Sequence, residues 1–163
     1  MFDDGELGYM SKQVSDYRYY DSAPTWANAY LWPVVKQELE VVIEKSGGNR
    51  PRALDLGCGN GATAEMIRKM GFDVVGVDPS ESGIALAREA YPDCHFEQGS
   101  AYDDLASRFG EFDAVVSLEV IEHCYYPRNM LSTTFDLLKR GGGSHCFNAI
   151  SRLLEEPEPG AYG

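Results

Sequence analysis

The chain has 163 residues and a formal net charge of −12, which excludes a broad nucleic-acid footprint, since phosphate recognition needs a basic face and no run of lysine and arginine supplies one. A hydrophobic fraction of 44% against 25% charged residues excludes a disordered chain and suits one domain with a sizeable core. No apolar run approaches the eighteen or so residues of a membrane span, and Cys58, Cys94, Cys124 and Cys146 are scattered, with no C-x-x-C pair and no secretory segment at the acidic N-terminus, so a cytoplasmic protein with reduced thiols is expected.

Residues 1–24 are polar and tyrosine-rich, with Tyr17, Tyr19 and Tyr20 before Pro24; the tyrosines either cover a ligand or pack against the domain. From Thr25 the residues Tyr30, Leu31, Val34, Val35, Leu39, Val42 and Ile43 recur at helical spacing up to Gly47-Gly48, with Pro33 tolerable only near a start or a kink. Strand and helix then alternate. A strand at 52–56 precedes a helix at 61–70, facing Met66, Ile67 and Met70 inward, and a strand at 73–77 precedes a helix opened by Pro79-Ser80, with Ile84, Ala87, Ala90 and Tyr91 on one face. A short strand at 94–98 and a weak helix near 103–109 lead to an apolar strand at 112–118. A helix at 127–139 is expected to bury Met130, Leu131, Thr134, Phe135 and Leu138, a fifth strand falls within 144–150, and 151–163 is an acidic, flexible tail. Such repetition predicts an α/β, Rossmann-like, doubly wound and mostly parallel sheet of about five strands over residues 25–150.

Three alternating glycines, Gly57, Gly59 and Gly61, follow the first strand directly, with Asp55 two residues before the first. Lacking Cβ atoms, they let the backbone turn tightly and let a ligand approach its N–H groups at the start of the next helix. Roughly twenty residues on, the second strand ends in Asp78, where a Rossmann-type unit places an acid on a ribose. A nucleoside cofactor is the expectation. A dehydrogenase fingerprint reads G-x-G-x-x-G, whereas this loop reads G-x-G-x-G.

The segment 54–64, the strand end 75–78, the run 112–117 and the later 137–142 together resemble the class I S-adenosylmethionine-dependent methyltransferases. The resemblance implies that Asp55 and the loop residues Gly57, Cys58, Gly59 and Gly61 hold the methionine end of the cofactor. It implies too that Asp78, followed by Pro79, takes the ribose hydroxyls and that Ser100 and Ala101 border the adenine, although many relatives carry an aspartate where this chain has Ser100. The turn 117–123 is similar to the E-x-x-E-H segment of the ubiquinone-biosynthesis O-methyltransferases. Glu119, Glu122 and His123 stand at i, i+3 and i+4, which on a helical turn sets them to one side. The three are candidate ligands for a magnesium ion that would acidify a substrate hydroxyl, with Glu119 counted among the cofactor residues as well. Alternatively His123, beside Glu122, acts as the general base, imidazole being the side chain that exchanges protons near neutral pH.

Plainer readings stay open: Asp78 as a helix-start residue, the acidic turn as a solvated loop, Cys58 as a small filler. Relatives continue past the fifth strand into a further helix and a β-hairpin, so the resemblance implies a C-terminally truncated chain with an uncovered sheet edge. Methyl transfer to a small-molecule oxygen nucleophile is the function so implied; a cofactor-binding module without turnover and a nicotinamide oxidoreductase are the alternatives. Oligomeric state is left open.

Overall fold

In the computed structural model, which describes residues 18–24, 26–139 and 145–148, five strands form one sheet: β1 (Arg52–Leu56), β2 (Asp73–Asp78), β3 (His95–Gln98), β4 (Ala114–Ser117) and β5 (His145–Asn148). All neighbours pair in parallel, in the order β3-β2-β1-β4-β5. Side chains alternate across a strand, and two clusters of opposite parity result. Ala53, Val74 and Val116 enter one cluster, whereas Leu54, Val75 and Val115 enter the other. Strands apolar on both faces need cover on both.

Helices α1 (Trp26–Lys45), α2 (Ala62–Lys69) and α3 (Glu81–Ala90) cover the first face with Val35, Leu39 and Val42, with Ala64 and Ile67, and with Ile84 and Ala87. Helices α4 (Leu105–Phe109) and α5 (Pro127–Asp136) cover the second through Leu105 and Met130. Their starts follow from local chemistry. Ser80 Oγ accepts from the Gly83 N–H at 3.2 Å to cap α3, Asp104 Oδ1 accepts from Ser107 N–H at 3.1 Å to cap α4, and Pro127 opens α5, where its missing donor is not needed.

Four expectations need correction. Pro33 lies well inside α1, neither at its start nor ending it, on the exposed side, where the carbonyl it leaves unbonded can turn to water. In α5 the buried stripe is Met130 and Thr134, continued by Leu137; Phe135 is 66% exposed, because two interleaved stripes compete and the sheet selects one. Phe112 joins Leu138 in an isolated bridge rather than extending β4. Ala90 is exposed, at the end of α3, so only Ile84 and Ala87 carry that face with half-buried Tyr91. Tyr17, residues 140–144 and the ends of the chain lie outside the described residues.

Chain order reverses between β1 and β4, the strands on either side of which connections run in opposite directions. Open α/β sheets hold their crevice outside the carboxyl ends of the strands at such a point.

Candidate functional site

A cleft of about 800 Å³ opens at that switch point, within the size range of small-molecule sites. The loop after β1 supplies its floor, Asp78 to Ser80 one side, and the segment after β4, including Glu119, Glu122, His123 and Tyr125, the opposite wall. A narrow extension of about 50 Å³ continues from Gly57, Pro79 and Val120 to Gly99, Ser100, Ala101 and Tyr102. Every expected cofactor residue except Gly61 lines one of these two spaces.

Gly61 is buried at the head of α2, with its N–H on Cys58 O at 2.9 Å. The other loop donors are occupied as well: Gly57 and Cys58 N–H both reach Val77 O, at 2.7 and 3.1 Å, and Gly59 N–H reaches Asp78 Oδ2 at 2.9 Å. Exposed N–H groups for a ligand were expected here, and those four are instead committed within the protein. The loop therefore offers close approach of backbone but little of the anion-binding capacity that a pyrophosphate needs. Gly57 shows why no side chain is tolerated: its φ is 80°, and a Cβ there would overlap Val120 of the opposite wall.

Asp55 and Asp78 stand on the same face of the sheet, since strand parity places both with Ala53 and Val74. Asp78 Oδ1 accepts from Ser80 N–H at 2.8 Å and Oδ2 from Gly59 N–H, leaving one lone pair on each oxygen directed elsewhere. Burial raises its pKa, against the pull of those two donors. Asp55 is 2% exposed and takes a hydrogen bond from the Ala64 backbone, at the N-terminal turn of α2, yet its Oδ2 has no partner. Burial first, and the nearby Asp78 second, push its pKa up to about 7. No lysine or arginine lies among the described residues lining the cleft. Two buried acids without a countercharge make a site complementary to a cation.

The wall after β4 differs from expectation. Only Ile121–His123 is helical, a single 3₁₀ turn, and Glu119 sits before it with φ 57°, so the i, i+3, i+4 alignment of the acidic turn does not form. Glu119, Glu122 and His123 all line the cleft, but among the described residues no group of three histidine, cysteine or acidic side chains is gathered to hold a metal ion. The donor set does not fit magnesium. Cys58 is 6% exposed, and burial drives its thiol well above its ordinary range, in keeping with a filler. Tyr19 lines the cleft, whereas Tyr20 is 88% exposed.

Several cleft residues were missed. Asn28 and Leu31 of α1 reach the cleft because Asn28 Nδ2 and Trp32 Nε1 both donate to Thr63 Oγ1 of α2, at 3.1 and 3.2 Å. Asn60, inside the glycine loop, lines it too, and only its position within G-x-G-x-G could have flagged it.

The family model for a methyltransferase domain matches residues 54–146. Among similar proteins, the ubiquinone biosynthesis O-methyltransferase of Ruegeria pomeroyi is 38% identical over 112 residues, covering 61% of this chain and 43% of that protein. A second of that name, from Caulobacter vibrioides, is 40% identical over 93 residues, 55% of this chain and 37% of its own length. The chain thus spans less than half the length of these relatives. Among solved structures, an S-adenosylmethionine-dependent methyltransferase from Mesorhizobium loti superposes with a TM-score of 0.55 at 27% identity, covering 68% of this chain and 50% of that one. A SAM-bound amino pentose methyltransferase from Micromonospora echinaspora gives 0.57 at 23% identity, over 87% and 54%, and shares the fold. With the family match over more than half of its length and the switch-point cleft behind it, the chain belongs to the methyltransferase domain family, with the class I S-adenosylmethionine-dependent fold.

Proposed function

We propose that this cleft binds S-adenosylmethionine and that the protein transfers its methyl group to an oxygen nucleophile on a small molecule. One observation carries the reading: Asp55 and Asp78 are buried together at the switch point, and no lysine or arginine lines the cleft among the described residues. A pyrophosphate would meet two acids there and no cation. A sulfonium and an ammonium would meet the charge they need.

S-adenosylmethionine supplies an activated methyl group, whose bond to sulfur breaks as a bond to the acceptor oxygen forms in line, the electron pair staying on sulfur. Asp55, which lines the cleft, holds the cationic methionine end. The two remaining lone pairs of Asp78 accept the ribose hydroxyls. Ser100 and Ala101 border the base in the narrow extension. His123, exposed on the opposite wall, takes the hydroxyl proton of the acceptor, with Glu122 beside it in the same wall. Most of the acceleration is positional, because holding donor and acceptor in line removes an entropic barrier. No step runs through a metal.

Calorimetry with S-adenosylmethionine, S-adenosylhomocysteine and NAD tests the site, repeated on Asp78→Ala. The sulfonium compound and its thioether product are both expected to bind the wild type, at least tenfold more weakly the variant, and NAD neither. Transfer of labelled methyl to catechols and phenols, lost in His123→Ala, then tests the chemistry. NAD binding in place of the sulfonium compound would sink the proposal.

A further inference from the structure

We infer that Tyr19 is a positioning residue for the cofactor, held over the glycine loop by a strap, residues 18–24, that Asn60 latches shut. The inference rests on the cleft being the cofactor site. Tyr19 reaches the cleft from a part of the chain separate from its other walls. Its ring is seated where side chains are missing from two elements: a Cβ on Gly59 would lie 2.5 Å from its hydroxyl oxygen, and a Cβ on Gly83 of α3 would lie 2.9 Å from its Cδ2. Its backbone N–H donates to Ser82 Oγ at 3.3 Å. The seat is built for an aromatic ring.

Asn60 ties this strap to the loop. Its Nδ2 donates to Asp21 O and Ala23 O, both at 3.0 Å, while its Oδ1 accepts from Ala62 N–H at 3.3 Å. One side chain therefore joins strap, loop and the first turn of α2, and it does so while 8% exposed. Tyr91, at the far end of α3, adds a third fastening by donating to Ser22 O at 2.7 Å. Arg18, Tyr20, Asp21, Ala23 and Pro24 are exposed, so burial contributes little and the side-chain hydrogen bonds hold the strap. Bonds of that kind are each modest in net strength, and a ligand that contacts the closed form shifts the balance towards it.

The test uses the 163-residue chain with S-adenosylhomocysteine as probe, and reads both calorimetric affinity and the rate of tryptic cleavage after Arg18. In the wild type the probe is expected to slow that cleavage severalfold. Asn60→Ala should weaken binding about tenfold and speed cleavage. Tyr91→Phe removes a strap bond away from the cleft; it should raise KM for S-adenosylmethionine about threefold and leave kcat unchanged, with an unaltered circular dichroism spectrum. Wild-type affinity in both variants overturns the inference, as does a cleavage rate indifferent to the probe. A wild type that binds no probe defeats the reading of the cleft itself and the inference with it.

Discussion

Asp55 bears a cost that its proposed role explains. Its carboxyl titrates near 7 in the folded chain, against the ordinary value of 3.8, because burial and Asp78 both oppose its charge. Below about pH 4 the group is protonated folded and unfolded alike and contributes nothing to the pH dependence. Between about pH 4 and pH 7 the unfolded chain releases the proton and the folded chain keeps it, so stability falls as pH rises. Above that window the penalty levels off at about 4 kcal/mol. Asp78, whose pKa is also raised by burial, adds to the same trend. Asp55→Asn removes the charge and keeps the shape. Urea denaturation is therefore expected to give a wild type that loses stability from pH 5 to pH 8 and a variant whose curve is flatter and higher at pH 8. The same variant should bind S-adenosylhomocysteine at least tenfold more weakly, lacking the carboxylate proposed to hold the methionine end. A variant less stable than wild type at pH 8 would show that the ionised Asp55 is not under strain.

Two loops, one after β1 and one after β4, approach closely at Gly57 and Val120, both of which line the cleft. Gly57→Ala places a methyl group against Val120 in a backbone conformation of φ 80°, which together should cost about 2 kcal/mol or more. Adding Val120→Ala relieves the overlap but not the backbone, so a double-mutant cycle by urea denaturation is expected to recover part of the loss. Full additivity would mean that the two walls do not touch.

This close approach also marks what local sequence can and cannot express. The strands were legible because Val115 and Val116, or Val74 and Val75, are apolar on both faces, and the start of α3 because Pro79-Ser80 opens it. Asp55 and Asp78 were legible since Asp55 stands two residues before the first glycine of the loop and Asp78 ends β2. The conformation of Glu119 was not, because nothing in a residue's identity announces a positive φ. The α5 stripe was misjudged for a related reason: Phe135 and Thr134 satisfy helical periodicity equally, and only the docked sheet chooses. Asn28 and Thr63 meet across 35 positions of chain, a distance over which no spacing rule operates.

At the scale of the whole molecule, charge and topology act together. A chain of net charge −12 repels anions at long range, and its sheet order brings the two buried acids to the crevice at the switch point. Four loop donors that could offset a phosphate are already used within the protein. A ligand that binds only the folded state stabilises it by mass action, roughly 2.7 kcal/mol at one hundred times Kd, or about 5–11 °C in Tm for a domain of this size. S-adenosylmethionine and S-adenosylhomocysteine are expected to produce shifts of that order in a thermal melt, whereas NAD at the same concentration leaves Tm unmoved. Raising salt sharpens the distinction. Screening weakens attraction to the exposed Glu119 and Glu122 more than to the buried pair, so the shift from S-adenosylmethionine should shrink at high ionic strength without vanishing. A shift abolished by salt would place the recognition on the exposed wall instead of on Asp55 and Asp78.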